Sequence, residues 1–265
     1  MNLLLLSSSR VGKTGYLSHA IPLIDEFLNA NKTKKTIRIL FIPFAGVSIK
    51  FDEYESMVIE ALKPLNIELT SIHHSADHSA THGAKNASSD TNIIAQQHQQ
   101  IKDADCLLVG GGNTFSLLNQ LYNLNLIKLI HDEVKVGKPY IGWSAGSNIA
   151  GASIKTTNDM PIVQPPSFNA LNLIPCQLNP HYIEATPSSH NGETRQQRLE
   201  EFLIANPDSQ VIAIPEGTAL ICRENRIIYT EGEQKETLAY LFSSRGKQAI
   251  QTDTDVSALL NRSSN

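Results

Sequence analysis

The nine residues 140–148, Tyr-Ile-Gly-Trp-Ser-Ala-Gly-Ser-Asn, constrain the fold of this chain more than any other segment. The first four are typical of a short buried strand, and the last four of the first turn of a helix. Ser144 falls between them, flanked by Gly142 and Gly146, because a Cβ atom would clash in a turn this sharp. The pattern predicts an exposed hydroxyl beside a helix N-terminus, where negative charge is favoured, although ordinary tight turns also contain glycine-flanked serines.

Short apolar runs alternate with segments of helical spacing along most of the chain. Residues 3–6 and 106–109 are typical of strands buried on both faces of a parallel sheet, whereas residues 54–62 carry apolar side chains at helical intervals. The alternation predicts an α/β fold with a mainly parallel sheet flanked by helices. At 265 residues, the simplest expectation is a single α/β domain over residues 1–265.

Charge, hydropathy and cysteine spacing exclude several classes of partner and location. A net charge of −4 gives no electrostatic basis for binding nucleic acid or an anionic membrane, and no run of 18 apolar residues predicts a membrane span. Residues 1–6 form too short an apolar run for a signal peptide and follow no basic residue. Cys106, Cys176 and Cys222 lie far apart, so we expect free thiols and a cytoplasmic protein.

Two polar segments are compatible with other chemistry. Residues 7–14, Ser-Ser-Ser-Arg-Val-Gly-Lys-Thr, end like a phosphate-binding loop but carry Ser7 where that loop needs its first glycine, which favours a plain strand-to-helix loop. Residues 73–90 have no periodicity and predict a flexible, solvated insertion. This insertion contains four histidines, but we find no cysteine, glutamate or distant partner to complete a metal site, so no metal or cofactor is expected. The histidines are His73, His74, His78 and His82.

A triple glycine, Gly110 to Gly112, links a predicted strand to a predicted helix. Consecutive glycines expose their backbone N–H groups in a concave nest that suits an anion. The loop lacks the spacing of a nucleotide site, so we interpret Gly111 and Gly112 as donors of an oxyanion hole; the alternative is that they only allow close helix packing. Loops after adjacent parallel strands converge, which would bring this one beside Ser144.

A nucleophilic serine needs a base and a carboxylate that orients the base. His181 is the preferred base because it ends a predicted strand and should therefore lie on the same rim of the sheet as Ser144, and His190 is the second choice. Two carboxylates fit the third role. Glu216 also follows a predicted strand, whereas Asp159 lies in a loop after the serine. Strand-end placement favours Glu216 and leaves Asp159 for support or substrate contact, but the residues alone leave both open.

Eight short motifs, in order over about residues 1–220, resemble the peptidase E (α-aspartyl dipeptidase) family of serine peptidases. The resemblance implies a fold like that of class I glutamine amidotransferases and a cytoplasmic serine hydrolase that cleaves Asp-Xaa dipeptides with an N-terminal aspartate. The motifs are LLLL at 3–6, FIPFAG at 41–46, VGGGNTF at 109–115, IGWSAG at 141–146, TTNDMPIV at 156–163, NPH at 179–181, GETR at 192–195 and PEG at 215–217.

The resemblance also implies roles for individual residues. It makes Ser144 the nucleophile, His181 the base and Gly111 or Gly112 an oxyanion donor, and it is compatible with either acidic residue as the third member. Arg195 would bind the aspartyl carboxylate of the substrate, since a guanidinium can grip a carboxylate with two parallel hydrogen bonds; otherwise it is a solvated surface residue.

The chain departs from the family pattern in two places. Residues 73–90 look longer than usual, and the C-terminal region shows little match. It remains open whether the insertion narrows the site or forms a contact with another subunit, as in a homodimer. Resemblance also suggests a rival enzyme, a cyanophycinase-like hydrolase of Asp-Arg linked material. The rival from another class is a non-catalytic nucleotide- or metabolite-binding module that uses residues 7–14 or the triple glycine.

Overall fold

The computed structural model describes residues 1–30, 36–75, 91–184, 192–232 and 237–260. Within these ranges the strands are β1 (Leu3–Leu6), β2 (Ile37–Ile42), β3 (Ile67–Ser71), β4 (Cys106–Val109), β5 (Tyr140–Trp143), β6 (Gln177–Pro180), β7 (Val211–Ile214), β8 (Ala219–Arg223), β9 (Arg226–Thr230), β10 (Ala239–Ser243) and β11 (Gly246–Ile250). The helices are α1 (Ile21–Ala30), α2 (Phe51–Leu62), α3 (Thr91–Asp103), α4 (Thr114–Asn123), α5 (Ile127–Lys135), α6 (Ala145–Asn148), α7 (Arg195–Ala205) and α8 (Ser257–Leu260).

The larger sheet has the strand order β3-β2-β4-β5-β1-β8-β9. From β3 to β1 all neighbours pair in parallel, and the β8–β9 hairpin adds two antiparallel strands beside β1. β4 and β5 are direct neighbours, so the loops that follow them lie side by side. The predicted α/β class, with a mainly parallel sheet flanked by helices, is confirmed.

Both faces of this sheet are buried, as continuous apolar strands predict. Leu4 and Leu6 point to one face, where they pack with residues of α1 and α2. Leu3 and Leu5 point to the other face and pack with residues of α3 to α6. Burying one such leucine contributes about 1.5–3 kcal/mol, so the four leucines anchor β1 at the centre of the fold.

A second sheet, in the order β11-β10-β7-β6, corrects one expectation. The strands that precede His181 and Glu216 were expected on the rim of the sheet that carries Ser144. They are instead β6 and β7, a parallel pair of the smaller sheet. The free edge of β1 is taken by β8, which leaves no place for β6 or β7 there. The two sheets share one apolar cluster, which brings the strand ends together.

Local predictions elsewhere have mixed outcomes. Pro22 lies in the first turn of α1, where a proline is tolerated, and residues 224–225 form the turn of the β8–β9 hairpin. His73 is wrongly predicted as part of a solvated loop, because residues 72–75 form a 3₁₀ turn in which His73 is 4% exposed. Residues 76–90 lie outside the described residues, as do His190 and residues 261–265. In the described parts of the chain, every helix falls short of the length and apolarity that crossing a membrane requires.

Candidate active site

Ser144 lies between β5 and α6 in a conformation that L-residues rarely adopt, with φ 52° and ψ −113°. Such backbone strain costs on the order of 1–3 kcal/mol and occurs mainly at functional sites. The flanking glycines make the turn sterically feasible. A Cβ atom on Gly142 would lie 2.5 Å from the carbonyl oxygen of Gly146, and one on Gly146 only 2.1 Å from that of Val109. Side chains are therefore excluded at both positions.

Ser144, His181 and Glu216 form one hydrogen-bonded chain. The Oγ atom of Ser144 is 2.8 Å from Nε2 of His181, and Nδ1 of His181 is 2.9 Å from Oε1 of Glu216. An ionised carboxylate only accepts, so Nδ1 carries the ring proton and the Nε2 lone pair faces the serine hydroxyl. His181 itself has a positive φ of 56°, a second strained residue in the same site.

The end of β1 joins the elements that carry His181 and Glu216. The Ser7 hydroxyl donates to the carbonyl of Ile214 (2.8 Å) and accepts from the backbone N–H of His181 (2.9 Å). Ser8 Oγ accepts from the N–H of Gly217 (3.0 Å), next to Glu216. Both serines are buried. Ser7 and Ser8, the first residues of the segment that resembles a phosphate loop, thus support the ends of β6 and β7. The sequence gives no sign of this role.

Backbone amides flank the serine, in the glycine loop after β4 and in the turn that follows Ser144 itself. Gly111 lies against the serine: a Cβ atom built on this glycine would be 3.0 Å from Cβ of Ser144. Within the described ranges, the N–H groups of Gly111, Gly112 and Ala145 have no acceptor, whereas the neighbouring Gly110 N–H is bonded to Ile42. Amides free in this way can stabilise an oxyanion. Ala145 was missed because a backbone donor leaves no side-chain signal; the turn motif alone indicates it.

Tyr54 of α2 holds the glycine loop in place. Its hydroxyl donates to the carbonyl oxygen of Gly111 at 2.8 Å. In a trans peptide the C=O and the following N–H point in opposite directions, so this bond turns the Gly112 N–H away from Tyr54. Burial, with a smaller contribution from Tyr16, raises the pKa of Tyr54 well above its ordinary value. The hydroxyl therefore remains a donor at neutral pH.

Asp159 lies away from the histidine. Its Oδ2 accepts from the N–H (2.7 Å) and the hydroxyl (2.6 Å) of Thr114, the first residue of α4, and from the hydroxyl of Thr157 at 3.2 Å. The helix N-terminus favours a carboxylate at this position. Of the two acidic residues that the sequence left open, the structure therefore brings Glu216, and not Asp159, onto His181.

Arg195, the first residue of α7, is tied to the same region. Its Nη1 donates to Oδ1 of Asn158 at 2.7 Å, and Nδ2 of Asn158 donates to the carbonyl of Pro180, just before His181. Burial and then Arg198 lower the pKa of Arg195, while Asp159 acts to raise it. The guanidinium stays charged at neutral pH and lies in the field of Asp159.

A cleft of about 420 Å³ opens beside the glycine loop. Its walls are mostly apolar, and the carboxylate of Asp159 supplies a charged group among them. Other lining residues include Tyr16, Ala45, Val47, Ile49, Met57 and Ile162.

Comparisons with known proteins agree on one family. The model of Peptidase family S51 matches residues 3–230. Proteins called peptidase E from Shewanella denitrificans and Shewanella putrefaciens are 49% and 48% identical over 261 residues, which cover 98% of this chain and 99% of each relative.

Two solved structures share the fold. The first, a putative peptidase E protein from Listeria monocytogenes EGD-e, is 25% identical with a TM-score of 0.59, over 86% of this chain and 97% of that one. The second, a peptidase from an acI-B1 Actinobacterium, has a TM-score of 0.64 over 96% of this chain and 95% of that one. At 18% identity, the second bears on the fold alone.

Proposed function

This chain belongs to peptidase family S51, and from that premise we propose that it is a serine dipeptidase that hydrolyses Asp-Xaa dipeptides through an acyl-enzyme on Ser144. One observation carries the proposal. The hydrogen-bonded chain from Ser144 through His181 to Glu216 stands beside free backbone amides, which is the geometry that acyl transfer to a serine requires.

The proposed reaction has two halves. Nε2 of His181 takes the proton from Ser144 as Oγ attacks the peptide carbonyl, and the amides of Gly111, Gly112 and Ala145 bind the developing oxyanion. The imidazolium then protonates the leaving amine, the C–N bond breaks and the second residue departs. In the second half, His181 deprotonates a water that attacks the aspartyl ester; the bond from the acyl carbon to Oγ breaks, the imidazolium returns its proton to Ser144, and aspartate leaves. Glu216 stabilises the imidazolium in both halves.

Recognition of an N-terminal aspartate needs one anionic and one cationic group. In this proposal Oδ1 of Asp159 pairs with the substrate ammonium. Within the described ranges the protein donates hydrogen bonds to Oδ2 of this carboxylate and none to Oδ1, so Oδ1 is available. Arg195 pairs with the side-chain carboxylate, held within reach of the site by Asn158. A small peptide with both charges would therefore be preferred over one with an N-terminal alanine.

The test compares turnover of Asp-Leu, Glu-Leu and Ala-Leu by the wild type and by Ser144→Ala. We expect Asp-Leu to be the best substrate and Ser144→Ala to be inactive, while the exposed Ser18→Ala serves as a matched control with full activity. Preference for β-Asp-Arg would instead favour the cyanophycinase-like alternative. If all three dipeptides resist hydrolysis while ATP raises Tm, the binding-module alternative gains and the dipeptidase is wrong.

A cytoplasmic location is part of the same proposal. Cys106, Cys176 and Cys222 are buried and free, as is usual in a reducing compartment. Burial raises the pKa of Cys222 to about 12, so this thiol stays protonated and unreactive. Fractionation of cells that produce the protein tests the location, and recovery outside the cytoplasmic fraction would contradict it.

A further inference from the structure

Four potential metal ligands, outside the group formed by Ser144, His181 and Glu216, come together where α2 lies beside the end of β3. Asp52 and Glu55 are three positions apart on α2, which puts them on one helix face. His73 and His74 follow β3 in the 3₁₀ turn, with ring centroids 4.1 Å apart. One ligand atom from each of the four residues lies within 4.8 Å of the others. We propose that these four side chains bind a divalent transition-metal ion such as Zn²⁺.

The spacing of the ligand atoms suits a single ion. Nε2 of His73 is 2.8 Å from Oδ1 of Asp52, and Nε2 of His74 is 2.6 Å from Oε2 of Glu55. Four ligands at zinc bond lengths of about 2.0–2.2 Å stand about 3.3 Å apart in a tetrahedron. The two closest pairs of ligand atoms are nearer than this value, and the most distant pair is up to 4.8 Å apart. Small side-chain rotations would therefore bring all four atoms to the spacing that one ion requires.

The hydrogen bonds around His73 place its Nε2 atom against the carboxylate of Asp52. Nδ1 of His73 is 2.6 Å from the Ser71 hydroxyl, which itself donates to the carbonyl of Phe41. If Nδ1 donates to the Ser71 hydroxyl, the lone pair of Nε2 is free to bind a metal ion shared with the Asp52 carboxylate; in the other tautomer, Nε2–H donates to Asp52. A backing group such as Ser71, which fixes the tautomer of the ring, is usual for a metal-binding histidine.

Burial and charge point the same way. His73 and Glu55 are 4% and 8% exposed, and within the described residues no lysine or arginine forms an ion pair with Glu55 or Asp52. A buried carboxylate is costly without a partner of opposite charge. Two carboxylates with two neutral imidazoles carry a charge of about −2, which a divalent cation neutralises.

The ligand types select the metal and its role. Imidazole nitrogen suits zinc and its transition-metal neighbours, whereas calcium and magnesium prefer oxygen alone. Four protein ligands leave no open position, which is typical of a structural zinc site. The ion would fasten the start of α2 to the end of β3, so its effect is expected on stability. The carboxylates lie 21 and 19 positions before these histidines in the chain, and α2 and the turn are brought together only by the fold.

Binding is tested with Co²⁺ and Zn²⁺ on chelator-treated, full-length protein. We expect one equivalent bound, the visible absorption of tetrahedral Co²⁺, and a rise in Tm of about 5–10 °C when free Zn²⁺ exceeds Kd a hundredfold. The proposal is wrong if the wild type binds neither ion, in which case a hydrogen bond from Nε2–H of His73 to Asp52 accounts for the contact.

Two variants assign the binding to these residues. His74→Ala changes a half-exposed residue, so the chain should fold, and it should weaken Zn²⁺ binding about 10- to 100-fold. Glu53→Gln, exposed on the same turn of α2, is the matched control and should bind like the wild type. Unchanged affinity in His74→Ala would overturn the assignment.

Discussion

Replacing Glu216 with glutamine tests how the carboxylate serves the histidine. Glutamine keeps the size of the side chain, and its carbonyl can still accept from Nδ1 of His181, but the charge is lost. The charge matters when His181 becomes an imidazolium, so the loss should appear in kcat. Attraction between unit charges at about 4 Å is about 1 kcal/mol in water and about 4 kcal/mol at an effective dielectric constant of 20.

Exposure decides where between these limits the effect falls. The side chains of His181 and Glu216 are 36% and 52% exposed, so water screens the pair substantially. We therefore expect a loss near the lower limit, about 5- to 10-fold in kcat, with KM almost unchanged. A fully buried carboxylate in this role would be expected to matter more.

Initial rates of Asp-Leu hydrolysis across a substrate series give both constants. Asp159→Asn is the comparison, because loss of the proposed ammonium partner should raise KM about tenfold or more. Melting curves for both variants check that each is folded. The reasoning is refuted if Glu216→Gln keeps the wild-type kcat while Asp159→Asn loses it at constant KM.

Three further outcomes follow from the same geometry. Ser7→Ala should cost about 1–3 kcal/mol of stability and lower kcat, because it removes the hydrogen bonds that support two strand ends. Melting curves and initial rates measure both effects, and the control Ser18→Ala should show neither. Arg195→Gln should lower kcat/KM for Asp-Leu about 10- to 100-fold and leave that for Ala-Leu unchanged; equal losses would contradict its carboxylate role. Burial raises the pKa of Tyr54 and Tyr140 above 10 in the folded protein, so the stability that these groups contribute should be full below pH 10 and fall as the pH rises beyond it. Ultraviolet absorbance should show that these two tyrosines ionise only when the protein unfolds. Their ionisation at pH 10 in the folded protein would contradict this.

Local sequence signals predict the elements that local physics determines. The apolar run of β1 and the glycine-flanked turn at Ser144 each depend on near neighbours, so strand, turn and helix follow from residue type. The nearness of the glycine loop to Ser144 also follows, because β4 and β5 are adjacent parallel strands.

The rest depends on long-range packing. The short strands β6 and β7 would suit either sheet, and nothing in their residues indicates that β8 takes the edge of β1. From the sequence, either Asp159 or Glu216 could reach His181. The fold decides between them, because the start of α4 binds Asp159 and the end of β7 brings Glu216 to the histidine. Asp52 and Glu55 look like ordinary charges on a solvated helix until the fold brings His73 against Asp52 and His74 against Glu55.

The most direct test of the central claim is the partition of the acyl group between water and hydroxylamine. Asp-Leu, Asp-Phe and aspartyl p-nitroanilide are hydrolysed in the presence of hydroxylamine, and aspartate and aspartyl hydroxamate are measured. If all three substrates pass through one ester on Ser144, the ratio of the two products is the same for each leaving group, and Ser144→Ala forms neither product. Ratios that change with the leaving group, or turnover by Ser144→Ala, would contradict the account.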